Sequence, residues 1–170
     1  MAAVALGRDF VFKVDRPEVC PTGLAEVDAS DAFDPASAAA AGVRLERLLW
    51  VRCGGNAEHA LKATDLLVQG GGFGLVVMDL TDTPVATARR ISMTSWFRLR
   101  RAVEHTPTVL LVVEQQPHAK TCASLTLEMR REGVDWSGAQ GCSRLLRGIR
   151  VHAERRKPVP ALAAYFESRW

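Results

Sequence analysis

Residues 75–80 read Leu75-Val76-Val77-Met78-Asp79-Leu80. The run is apolar without alternation, which predicts a strand covered on both faces with a carboxylate at its C-terminal end. Just upstream, Gly70-Gly71-Gly72 closes a helix. The apolar positions of that helix, Ala57, Ala60, Leu61, Thr64, Leu67 and Val68, follow helical spacing, and Asn56 suits its N-cap. Before it, Leu48-Leu49-Trp50-Val51 reads as a buried strand that stops at Gly54-Gly55. Downstream, residues 94–105 form an amphipathic helix with Trp96, Leu99 and Val103 on one side. Thr108 to Val113 is a further continuous apolar strand, ending at Glu114-Gln115. Strand, helix, strand, helix, strand at these lengths implies βαβ units and a parallel sheet. Right-handed crossovers then bring the strand ends to one edge, where open α/β sheets bind ligands.

The flanks are read differently. In residues 25–35, Asp28, Ser30, Asp31 and Asp34 compete for backbone donors, and Asp34 caps an alanine-rich helix over 36–41 that stops at Gly42. After Gln115 the pattern alternates over 124–130 and 146–153, predicting two antiparallel strands that extend the sheet. Residues 1–24 are poorly patterned, with a short strand expected at Val11 to Val14. Pro158 and Pro160 break the chain before a tail over 158–170. The expectation is one domain over 25–157.

Composition narrows the class. Hydrophobic residues at 48% and charged residues at 24% describe a globular domain rather than a disordered chain. No apolar run approaches the roughly 18–20 residues of a membrane span, and the N-terminus has no secretory pattern, so a cytoplasmic protein is expected. Cys20, Cys53, Cys122 and Cys142 have no metal-ligand spacing and are read as reduced thiols. Net charge is +3, unevenly spread. Residues 89–157 hold 14 Lys/Arg against 6 Asp/Glu, which points to a basic face for phosphates or an acidic protein.

The order of these segments resembles the RecA recombinase core, from about Val27 to Phe166. Residues 27–35 resemble the segment after that family's phosphate-loop helix. Leu75 to Asp79 resembles its Walker B strand. Val112-Val113-Glu114-Gln115 resembles the strand that ends in a glutamine sensing the γ-phosphate. Residues 123–131 and 149–157 resemble the closing strands. Within the superfamily, residues 28–35, 48–55 and 60–95 are most similar to the ImuA type. The resemblance implies a RecA-like, P-loop-NTPase-type α/β fold: a mostly parallel sheet flanked by helices, with a C-terminal antiparallel extension. It also implies a role in damage-induced translesion synthesis in the SOS response. The partners it implies are an ImuB-like protein and an error-prone DNA polymerase; RecA is a further expected partner, and the arginine-rich half points to DNA met through the basic face.

The chemistry is degenerate. No G-x-x-x-x-G-K-[ST] loop is present, and Gly70 to Gly74 precedes a strand with no following Lys-Ser/Thr. By the resemblance, Ser30 stands where the family carries the glutamate that activates water, and a serine hydroxyl is no general base near neutral pH. Asp79 and Gln115 are the other residues of this degenerate nucleotide site. No catalytic residue, metal site or cofactor is therefore expected. The residues expected to contact DNA or a partner are Arg89, Arg90, Arg98, Arg100, Arg101, His118, Lys120, Arg147, Arg150, Arg155 and Arg156. Trp50, Trp96 and Phe97 are expected in the core. Two other readings remain open at this point. One is a fragment of an ATP-dependent recombinase whose phosphate loop lies upstream of Met1. The other is a cell-division inhibitor of the SulA type.

Overall fold

The computed structural model describes residues 2–6, 23–138, 144–157 and 162–169. It has eight strands: β1 Ala2–Leu6, β2 Gly23–Asp28, β3 Leu48–Arg52, β4 Phe73–Asp79, β5 Val109–Glu114, β6 Leu125–Ser137, β7 Leu145–Lys157 and β8 Leu162–Arg169. Its helices are α1 Pro35–Ala40, α2 Ala57–Gly70, α3 Val85–Ala88 and α4 Met93–Val103. The protein is α/β. Strands β3-β2-β4-β5 are all parallel and flanked by helices. Strands β6-β7-β8 form a three-stranded antiparallel sheet. Strand β1 pairs antiparallel with both β5 and β6 and so lies between the two parts.

The helices begin where their caps dictate. The Asp34 carboxylate accepts from Ala36 N and Ser37 N, the Asn56 side-chain amide oxygen from Glu58 N and His59 N, and the Ser92 hydroxyl from Ser95 N. The crossovers β3-α2-β4 and β4-α4-β5 lay α2 and α4 side by side over one sheet face. Under them Ala25, Val27, Val76, Met78, Leu110 and Val112 are completely buried, against Ala60, Trp96 and Leu99.

Several expectations need correction. Strand β3 is an edge strand, and Leu49 is 44% exposed, so it is not covered on both faces. An apolar run reads alike at an edge and in the middle of a sheet. Residues 1–24 contain a strand in the interior of the sheet order; its alanine-rich sequence has weak strand preference, and β5 and β6 supply its partners. Residues 162–169 are not a loose tail, because β8 pairs along β7 from Gly148 to Arg155. Phe97 is 46% exposed, since it follows the buried Trp96 around the helix and points away from the core. Trp50 is only half-buried, tilted against Phe33 with Arg52 over its ring. The alternating segments run further than expected, because irregularities near Gly133 and Trp136 let β6 continue past the glycine. The strand expected at residues 11–14 lies outside the described residues, as do Cys20 and Cys142; Cys53 and Cys122 are buried free thiols.

Candidate functional site at the C-terminal edge of the parallel strands

Strands β2, β4 and β5 end side by side at Asp28, Asp79 and Glu114, and Asp28 stands in register with Asp79. Each strand-end carboxylate is occupied locally. Asp28 Oδ1 accepts from Ser30 N (3.2 Å) and Ala32 N (3.0 Å). Its Oδ2 accepts from Phe33 N (2.9 Å) and Trp50 Nε1 (3.3 Å). Burial alone would raise the Asp28 pKa, but these donors together hold it below the ordinary carboxylate value. The turn that contains Ser30 is fixed further by Asp31, which has φ 60°, pairs with Arg52 at 3.1 Å and accepts from Gly54 N at 3.3 Å.

Asp79 Oδ1 accepts from Thr81 N at 2.7 Å and from the Thr81 hydroxyl. Gln115 Nε2 donates to Thr81 O at 2.7 Å. Thr81 therefore ties Asp79 to Gln115, and Ala29 N donates to Asp79 O at 3.1 Å. The three nucleotide-site residues expected from sequence, Ser30, Asp79 and Gln115, do meet at one edge. Ser30 brings no carboxylate to it. Behind them sits Glu26, 8% exposed, with its pKa pushed up to about 8 by burial and by the negative charges of Asp79 and Asp28. The raised value favours the neutral carboxyl, so burial works against a further negative charge beside Asp28 and Asp79.

Glu114 is 1% exposed and folds the following loop back on itself. Its Oε1 accepts from His118 N at 2.8 Å, and Oε2 lies 2.9 Å from His118 Nδ1. Burial raises the Glu114 pKa, opposed by the bonds from His118. His118 accordingly turns inward and forms part of a cleft wall rather than reaching outward. The sequence marks Asp28 as a competitor for backbone donors, and the structure bears this out; the organising roles of Thr81 and Glu114 were not read. The Asp28 role had a local signal, an aspartate with turn residues two to five positions on. The Glu114–His118 link had none.

Two clefts open beside the start of α4 and share Ile91 and Ser92. The larger, about 720 Å³, lies towards α2 and includes Lys62, Arg90 and Arg98. The smaller, about 550 Å³, lies towards the loop after β5 and includes Arg89, Met93, His118 and Lys120. Both sit over helix N-termini, whose partial positive charge adds to that of the side chains. Arg89 donates to the Gln116 side chain at 3.1 Å, and Arg98 pairs with Asp65 at 3.1 Å. Among the described residues no ion pair within 4 Å engages Lys62, Arg90 or Arg101. Arg100 stands on the same helix, half-buried.

The other predicted basic residues lie away from this edge, on β7. Arg150 approaches Asp135 at 3.9 Å, and its guanidinium lies over Gly133, where a Cβ would sit 2.6 Å from it. Arg156 pairs with Glu128 at 2.8 Å and Glu154 at 2.9 Å, while Arg155 stands opposite Leu127 and Leu162. Arg147 is exposed on the same strand. The structure thus divides the predicted basic face into two. No protein-family model matches this chain, and no curated protein matches it.

Proposed function

We propose that this chain is a RecA-like accessory protein of damage-induced translesion synthesis that binds partners and does not hydrolyse ATP. The parallel strands followed by a long antiparallel hairpin support the RecA-like reading, since that is the order the resemblance implies. The observation that carries the non-hydrolytic reading is the state of the strand ends. Asp28 is saturated by four donors, Asp79 is bound to Thr81, and Ser30 stands where an activating carboxylate is expected. General-base catalysis needs a carboxylate able to take a proton from water, and this edge offers a serine hydroxyl at that position.

In place of reacting groups, the edge presents cations. An ImuB-like protein, an error-prone polymerase, RecA and DNA remain the proposed partners. The test is co-purification of this chain with an ImuB-like protein in mild salt, together with calorimetry against ATP and Mg²⁺. Association with no measurable ATP binding is the expected result. Micromolar ATP affinity with turnover would replace this reading with that of an ATP-driven recombinase fragment.

A further inference from the structure

We infer that the groove formed by the two clefts at the start of α4 is a docking site for an acidic, amphipathic segment of a partner protein. The inference rests on the accessory reading above and names the chemistry of what that reading would bind. The two clefts meet at Ile91 and Ser92, so a single extended or helical segment can lie across both.

Charge gives the first half of the argument. Lys62 and Arg90 line the larger cleft, and no ion pair within 4 Å engages either among the described residues. Arg89 and Lys120 border the smaller one. Among the described residues, Glu58 is the one acidic residue lining either cleft. Acidic side chains on a partner would complete these cations, and the like-charged alternative would be repelled.

Apolar surface gives the second half. Ile91 is half-buried at the junction of the clefts, and Leu61 lines the wall of the larger one. Met93, 38% exposed, lines the smaller cleft, and Phe97, 46% exposed, lies four residues further along the same side of α4. A phosphate backbone has no use for the apolar Leu61, Ile91 and Met93 among the cleft cations, nor for Phe97 exposed just outside the lining, whereas protein interfaces combine apolar anchors with a charged rim. That combination favours a peptide with carboxylates and apolar side chains over a nucleic acid.

The experiment uses the full chain and a phage library displaying random 12-residue peptides, followed by affinity measurement of the enriched peptides by fluorescence anisotropy. Enrichment of sequences that pair Asp/Glu with Leu, Ile or Phe is expected. Their affinity should fall at least tenfold in Arg90→Glu and in the Met93→Ser/Phe97→Ser double variant. Lys62→Glu provides a second charge reversal on α2, independent of α4. All four side chains are exposed, so unchanged thermal unfolding should accompany each loss. Enrichment of basic or neutral peptides, or equal binding to all variants, overturns the inference. So does the finding that a 30-residue oligothymidylate binds in an Arg90-dependent manner while no acidic peptide is enriched. Co-purification with an ImuB-like protein that survives all three variants would leave the accessory reading standing and remove this site from it.

Discussion

The β6–β7 hairpin and the α3–α4 edge are both rich in arginine, and they differ in what their charges meet. On the hairpin, Glu128 holds Arg130 at 2.6 Å and Arg156 at 2.8 Å, and Arg156 also reaches Glu154. The Glu128 pKa is lowered by these two arginines, and that of Arg130 is raised by Glu128. At the α3–α4 edge Arg98 pairs with Asp65, but among the described residues Arg89 meets an amide and Arg90 and Arg101 have no ion pair within 4 Å; on the hairpin Arg131 and Arg147 are likewise without one, while Arg130, Arg150 and Arg156 are paired. Exposed pairs add little stability, but they cancel much of each other's field. A count of basic residues therefore does not locate a binding face. What locates it is the charge that the chain itself leaves open.

The largest expected effect breaks the comparison by dismantling one side of it. Trp96→Ala removes the completely buried side chain that seats α4 and should cost about 3–5 kcal/mol in urea denaturation, with loss of binding at the α4 groove. A loss well under that range would mean α4 is not seated as described. Next comes the same contrast among carboxylates. Asp28 is internally satisfied, and Asp28→Ala leaves four donors without their acceptor, so it should cost roughly 2–3 kcal/mol. Because its folded pKa is depressed, Asp28 contributes stability that is present above the unfolded value and lost as pH falls through the acidic range. Acid unfolding of Asp28→Asn should accordingly be less steep than that of the parent chain.

Glu26 is the counterpart whose charge is opposed by burial and by Asp79 and Asp28. Its folded pKa of about 8 lies above the ordinary 4.5, so the stability it contributes at low pH is lost as pH rises between those values. Glu26→Gln should reduce the fall in melting temperature between pH 5 and pH 9, and an unchanged fall would contradict the assigned surroundings of Glu26. The smallest effect sharpens the comparison on the hairpin. Arg130→Ala should leave the melting temperature within the scatter of the parent, because its pair with Glu128 is solvent-exposed.

Strands β4 and β5 were legible because a strand buried on both faces writes itself as a continuous apolar run, as 75–80 and 108–113 do; β2 was not, because residues 23–28 mix Glu26 and Asp28 into a short apolar stretch that reads as the lead-in to a turn. Helices α2 and α4 were legible through Asn56 and the spacing of Trp96, Leu99 and Val103. Strands β1 and β8 were not, since both depend on partners distant in sequence: Ala2 faces Glu114 and Glu128, and Tyr165 faces His152. At the site, the convergence of Ser30, Asp79 and Gln115 followed from strand ends sharing an edge. The inward turn of His118 did not, because it depends on a buried Glu114 whose direction no periodicity records.

The central claim is that the open cations of the α3–α4 edge, rather than the paired ones of the hairpin, engage the partner. Its most direct test is retention of an ImuB-like protein on the immobilised chain, comparing Arg89→Glu/Arg90→Glu with Arg130→Glu/Arg156→Glu. The account predicts at least a tenfold loss for the first pair and a change within about threefold for the second, each tenfold being about 1.4 kcal/mol of binding free energy. Equal losses, loss confined to the hairpin pair, or no retention by the parent chain would contradict it.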